Sequence, residues 1–304
     1  MEVHQLRYFC EVVRQGTFTR ASKAQKVAQP SLSQQILKLE AELGGQLFDR
    51  MPQSAKLTVF GKAFLPRAEL ILRELEEAKT EILEMTGEEK GVVVLGVIPT
   101  IAPYLLPPVL EDFSPRHPLV KIHVVEEITS MLLERLHQGS IDMAIVALPV
   151  PGADVSVTEL FEERLLGVLP ENHPRARQRS IRLAELKDDP FLILKEGHCF
   201  RDSMIAACRE SRVKPNVAFE SGQFATILAM VSARMGVSAV PAMAVQPVRG
   251  CRFIRIVGKR SMRKIGVIKL RHHFETRAQR VFRRHVVETS RKRTRDNITE
   301  CGNS

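Results

Sequence analysis

Two cysteines nine positions apart, Cys199 and Cys208, are the residues of this chain best suited to covalent chemistry. The first lies in Gly197-His198-Cys199-Phe200-Arg201-Asp202. An imidazole on one side and a guanidinium two residues on favour the thiolate, the form that attacks peroxides and disulfides. The run Ser203 to Glu210 reads as a helix, which puts Cys199 near a helix N-terminus, where partial positive charge lowers a thiol pKa further. Nine helical residues rise about 13.5 Å, whereas a disulfide needs Cα atoms within about 7 Å. The two thiols can therefore bond only if the helix between them is remade, as a redox switch requires. Spacing alone also fits two cysteines in an ordinary amphipathic segment, and both readings stay open at this level.

Composition bounds what such a thiol could serve. The 304 residues, 44% of them apolar, are enough for two or three domains. No stretch approaches the roughly 18 apolar residues of a membrane span, and Met1-Glu2-Val3-His4-Gln5 opens no signal peptide. The five cysteines (10, 199, 208, 251 and 301) are scattered, with no CxxC or Cys/His metal spacing. That pattern predicts a cytoplasmic protein in a reducing compartment, with a transient disulfide at most and neither metal nor cofactor. Cys10, Cys251 and Cys301 receive no role. No nucleophile elbow, P-loop or paired carboxylate motif suggests an enzyme. The net charge of +10 points to a polyanionic partner, but it is unevenly spread. Residues 259–295 hold fourteen Lys/Arg against Glu275 and Glu288, while the first sixty residues carry only about +3.

Pattern rather than charge identifies the nucleic-acid module. Leu6, Phe9, Cys10, Val12 and Val13 form a helical face stopped by Gly16. Thr17 or Thr19 can cap a short second helix carrying Ala21, Ala24 and Val27. After a turn at Ala28-Gln29-Pro30, a third helix from Ser31 to Leu43 should bury Leu32, Ile36, Leu39 and Leu43. Its other faces offer Ser31, Ser33, Gln34, Gln35 and Lys38 to bases or phosphates. This is a helix-turn-helix whose last helix enters the major groove. Leu47-Phe48-Asp49-Arg50 and Lys56-Leu57-Thr58 follow as a small β wing with basic phosphate contacts.

These residues resemble the DNA-binding domain of LysR-type transcriptional regulators. The match is carried by Leu6-Arg7-Tyr8-Phe9, Gly16-Thr17-Phe18, Ala21-Ser22, Gln29-Pro30-Ser31-Leu32-Ser33, Ile36, Leu39-Glu40, Leu43-Gly44, Leu47-Phe48-Asp49-Arg50, Leu57-Thr58 and Gly61. The resemblance implies that Gln29, Pro30, Ser31, Ser33, Gln34 and Lys38 face double-stranded operator DNA, with Arg50 on the backbone beside the wing. Phe60 departs from the small residue usual before Gly61, which bears on the packing of the wing.

Residues 1–58 are thus expected to form a winged helix-turn-helix domain. Residues 59–90 follow as one long helix. Its stripe of Phe60, Ala63, Phe64, Ala68, Ile71, Leu72, Leu75, Ile82 and Leu83 cannot be buried by the helix itself, so a partner helix is expected. In the family that helix dimerises two DNA-binding heads. Residues 91–290 read as an α/β effector domain, and 291–304 as a basic, disordered tail. Within the effector domain the apolar run Val92 to Ile98 begins a βαβαβ order, hence a mainly parallel sheet with ligands at its strand ends. Two lobes with hinges near 162 and 266 resemble the periplasmic-binding-protein-like effector modules of the family.

Within that family the cysteine segment is most similar to the hydrogen-peroxide sensors. The resemblance implies Cys199 as the peroxidatic thiol and Cys208 as the resolving one. Thr100 and Thr129 would position peroxide, and His198 and Arg201 would stabilise the thiolate and departing hydroxide. Phe200 replaces an expected aliphatic residue, implying a narrower pocket. The implied protein is a homotetrameric (dimer of dimers) activator of oxidative-stress genes, with RNA polymerase and a thiol reductant as further partners. The alternative is a regulator whose cleft binds a small organic acid, because relatives place Ser or Thr at the Thr100 position to hold a carboxylate.

Overall fold

The computed structural model describes residues 1–51, 54–84, 90–152, 154–258, 261–271 and 273–300, folded as two compact units. The first contains α1 (Val3–Gln15), α2 (Phe18–Ala24), α3 (Gln29–Leu43), a hairpin of β1 (Phe48–Met51) and β2 (Ser54–Leu57), and α4 (Val59–Glu84). Gly16 ends α1 in the left-handed conformation, and Thr17 caps α2 by accepting from the Arg20 amide. Pro30 in the first turn of α3 costs no hydrogen bond there. The core joins Leu6, Phe9, Val12, Ala21, Leu32, Ile36, Leu39, Leu47, Phe48 and Ala68. Leu43, expected inside, is 41% exposed. Its place on that side of α3 is taken by buried Glu40, whose Oε1 accepts from the amides of Leu47 (2.8 Å) and Phe48 (3.2 Å) and so anchors the first wing strand. Gly61 is required by contact: a Cβ there would lie 2.1 Å from the Leu47 carbonyl oxygen. Phe60 is 64% exposed, yet its ring closes over Gly45. The unusual aromatic therefore covers the turn before the wing without entering the core.

The second unit has two lobes with separate cores. In the first, β3 (Gly91–Val97) lies parallel to β4 (Val120–Glu126) and β5 (Met143–Leu148), with α5 (Ala102–Arg116) and α6 (Thr129–His137) as crossovers. These are the expected βαβαβ elements. β6 (Val155–Pro170) then runs through both lobes. Its first part pairs with β12 (Met262–Leu270), which also pairs antiparallel with β5. Its last part pairs with β10 (Ser238–Pro241) and β11 (Cys251–Ile256). The second lobe adds β7 (Ser180–Ile181) beside β11, the parallel pair β8 (Pro190–Leu194) and β9 (Asn216–Ser221), and helices α7 (Cys199–Glu210) and α8 (Phe224–Ser232).

Two expectations are corrected. The return crossing lies between Ile256 and Met262, ahead of 266, because Lys264 onward is already paired with β5. The irregularity at Gly266 is a bulge inside the first lobe. The tail from residue 291 is helical as far as it is described: α9 runs Arg277–Glu300. Ala278, Phe282 and Val286 fix its first half in the first-lobe core. Beyond them no Gly or Pro intervenes before Gly302, so each further turn extends an existing nucleus.

Candidate thiol site and DNA-reading face

On α3 the residues expected to meet DNA lie along the solvent-facing side and first turn of the helix. Gln29, Pro30, Ser31, Gln34 and Lys38 are exposed and Ser33 is half-buried. The Gln29 side-chain amide donates to Ser33 Oγ at 2.9 Å, which fixes both side chains at the start of the helix. The Arg50 side chain lies outside the described residues.

The thiol site is built around the start of α7. His198 is the N-cap and Cys199 the first helical residue. Gly197 turns the chain into the helix at φ +92°, a region that L side chains disfavour, and a Cβ there would press on Ile128. Both cysteines are free thiols. Cys199 packs against the first-lobe core, whereas Cys208 is fully buried in the core of the second. Nine residues at 100° each make two and a half turns, so one helix directs the two sulfurs to opposite sides. The sequence expectation of an intervening helix holds, and the structure adds that each thiol belongs to a different lobe.

The charges at Cys199 differ from those its neighbours in sequence suggest. Burial pushes the Cys199 thiol above its ordinary pKa. The Arg263 charge, a hydrogen bond from Thr129 and the Phe200 amide pull it back, while Asp202 pushes it further up. Thr129 Oγ1 is buried and has no conventional hydrogen-bond partner among the described residues, so it can donate to the sulfur when that ionises. Arg263 is itself buried. Its Nε donates to Glu163 Oε1 (2.6 Å), Nη1 to Thr100 Oγ1 (3.2 Å) and Nη2 to the Thr100 carbonyl (3.2 Å). The guanidinium lies 5.4 Å from the centroid of Phe200, a cation–π distance. Phe200 is buried edge-on against Phe224, so it forms a wall of second-lobe core beside the thiol.

Arg263 thus bonds Thr100 and, with Thr129, acts on the Cys199 thiol; the two expected cations are disposed differently. Burial and the charge of Lys195 lower the His198 pKa, leaving a neutral imidazole at neutral pH. Arg201 pairs with Glu220 and donates to the Leu194 carbonyl. The cation at the site is Arg263, 64 positions away in sequence. One signal could have found it. In Met262-Arg263-Lys264-Ile265-Gly266-Val267, Arg263 shares the strand parity of buried Ile265 and Val267, and a charged residue on an apolar strand face is rarely left without a task.

Comparison with known proteins identifies the family of the chain. Residues 3–62 match the bacterial regulatory helix-turn-helix protein model of the lysR family, and residues 86–291 match the LysR substrate binding domain. A protein of Mycobacterium leprae named probable hydrogen peroxide-inducible genes activator is 35% identical over 248 residues, 81% of this chain and 79% of that protein. The DNA-binding transcriptional dual regulator OxyR of Escherichia coli K12 is 31% identical over 290 residues, 92% of this chain and 95% of that protein. A full-length OxyR variant of Pseudomonas aeruginosa superposes with a TM-score of 0.75 at 29% identity, covering 96% of this chain and 95% of that one.

Proposed function

The chain belongs to the LysR family of DNA-binding transcriptional regulators, and on that footing we propose that its effector signal is hydrogen peroxide, sensed at Cys199. The observation that carries this reading is the setting of that thiol: the first residue of α7, under the influence of buried Arg263 and of a buried Thr129 hydroxyl that has no hydrogen-bond partner among the described residues. The similarity to peroxide-linked relatives supports it. The Cys199 thiolate attacks one peroxide oxygen and the O–O bond breaks. Sulfur loses two electrons to become the sulfenic acid, and hydroxide leaves to be protonated to water. Thr100 and Thr129 orient the peroxide, and Arg263 stabilises the departing hydroxide. Cys208 then attacks the sulfenic sulfur, forming the S–S bond and releasing water. A dithiol reductant of the cell restores both thiols.

Because α7 holds the two sulfurs on opposite sides, bond formation unwinds it and withdraws Cys208 from the second-lobe core. The surface of that lobe changes, and with it the spacing of DNA-binding heads in a homotetramer that engages operator DNA and RNA polymerase as a cytoplasmic activator. A second reading has its own observation. Burial leaves Cys199 above, not below, the ordinary thiol pKa, and Arg263 with Thr100 could equally hold the carboxylate of a small organic acid. Peptide mass spectrometry before and after mild peroxide separates the two. A Cys199–Cys208 peptide pair is expected; unmodified Cys199 at peroxide levels that oxidise no other thiol leaves the organic-acid regulator.

A further inference from the structure

We propose that Glu163 restrains the reactivity of Cys199, by holding and partly neutralising the Arg263 cation on which the thiolate depends. The proposal rests on the peroxide reading for its purpose but not for its test. Glu163 lies on β6 where that strand crosses between lobes, and it is buried. Its Oε1 accepts from Arg263 Nε, and its Oε2 accepts from the Met243 amide at 3.0 Å. Both of its oxygens are thus held in place by donors inside the protein. At Arg263 it pairs with the cation that, among the described residues, favours the ionised sulfur. The guanidinium is consequently shared: three of its five N–H groups go to Glu163 and Thr100, and its face lies over Phe200. The other groups that shift Cys199 are Thr129, the Phe200 amide and Asp202. Tyr104 is the further titratable group that feels the Arg263 charge. Glu163 touches neither the sulfur nor, on the proposed reading, the peroxide. It is a positioning residue that sets how much of the Arg263 charge the thiol receives, and so the oxidant level at which the sensor fires.

Glu163→Gln removes the charge while keeping an oxygen that can accept from Arg263. The decisive measurement is the pH profile of Cys199 alkylation by iodoacetamide in the full-length protein, with the modified peptide identified by mass spectrometry. The midpoint should fall by about one unit, giving roughly tenfold faster alkylation near neutrality. Arg263→Gln should raise the midpoint, and adding Glu163→Gln to it should change little further. Should Glu163→Gln not fold, Glu163→Asp withdraws the carboxylate by one methylene and should produce a smaller shift of the same sign. An unchanged or raised midpoint in the folded Glu163 variant overturns the proposal. A lowered midpoint in a protein that shows no disulfide with peroxide upholds it while removing the peroxide reading.

Discussion

A buried thiol that must ionise before it can react is governed by the few charges that share its low-dielectric surroundings. At Cys199 burial wins over Arg263, Thr129 and the Phe200 amide, so the resting group is the thiol. Below its folded pKa the thiolate fraction rises about tenfold per pH unit. The raised value therefore predicts that oxidation by peroxide keeps accelerating as pH climbs past the ordinary thiol range instead of levelling off near neutrality. Stopped-flow oxidation across pH checks this. Cys199→Ser should abolish the response, since a hydroxyl is scarcely ionised at any of these pH values. Cys208→Ser should still form the sulfenic acid but not the disulfide, exposing Cys199 to over-oxidation; sulfenic-acid trapping followed by mass spectrometry distinguishes the two. Equal oxidation rates in wild type and Cys199→Ser would end the sensor reading. At this scale the sequence showed the nucleophile but not its electrostatic partners. His198 and Arg201 are adjacent along the chain, yet a side chain's field depends on where the fold aims it, and Arg201 is aimed at Glu220. Arg263 and Glu163 meet only because two long strands pair across the crossover, a separation no local pattern spans.

Elements decide how fast the second chemical step can follow the first. Cys208 has its thiol pushed up to about 11 by burial, so at neutral pH it is neither ionised nor near its target while α7 is intact. On the proposed reading, its release from the core would be the barrier to disulfide formation. The end of α7 gives that release somewhere to go, because Ala207, Glu210 and Ser211 border a cavity of about 650 Å³ that also touches Leu183 and Ile256. Urea below the unfolding transition should therefore speed disulfide formation after oxidation while leaving the first oxidation step nearly unchanged, since local opening is promoted before global unfolding. Parallel slowing of both steps would show that α7 does not gate the second one. The helices were legible because their signals are local: Gly16 as a stop, Pro30 as a start, and the spacing of Leu32, Ile36 and Leu39. β6 was read only in its second half, because its first part exposes alternate residues and carries Glu159, Glu162 and Glu163. On α3, Ser33→Ala and Gln34→Ala should each weaken operator binding by about 1–3 kcal/mol where they contact base edges, with little effect on random duplex. Titrations against both duplexes test this, and equal losses would assign the two side chains to the phosphate backbone.

For the whole molecule, the question is how a modestly charged head achieves operator affinity. The first sixty residues carry only about three net positive charges. One head releases few counterions from DNA, and the corresponding affinity is modest at physiological salt. Joining heads makes the second contact effectively intramolecular, which raises affinity without new contacts. The linker helix α4 is the element expected to join them, and its surface divides the task. Phe64, Ala68 and Leu72 pack against the head's own core, so changing them would damage the head itself. Ile71 is 38% exposed and Leu75 half-buried, leaving apolar surface that the head does not cover. A paired change, Ile71→Glu with Leu75→Glu, should therefore leave both folded units intact by circular dichroism and shift sedimentation towards smaller species. Operator affinity should fall at least tenfold, while binding to an isolated half-site changes little. An unaltered sedimentation profile would move the dimer contact to another surface. Intact assembly with lost half-site binding would mean that these residues support the head and not its pairing.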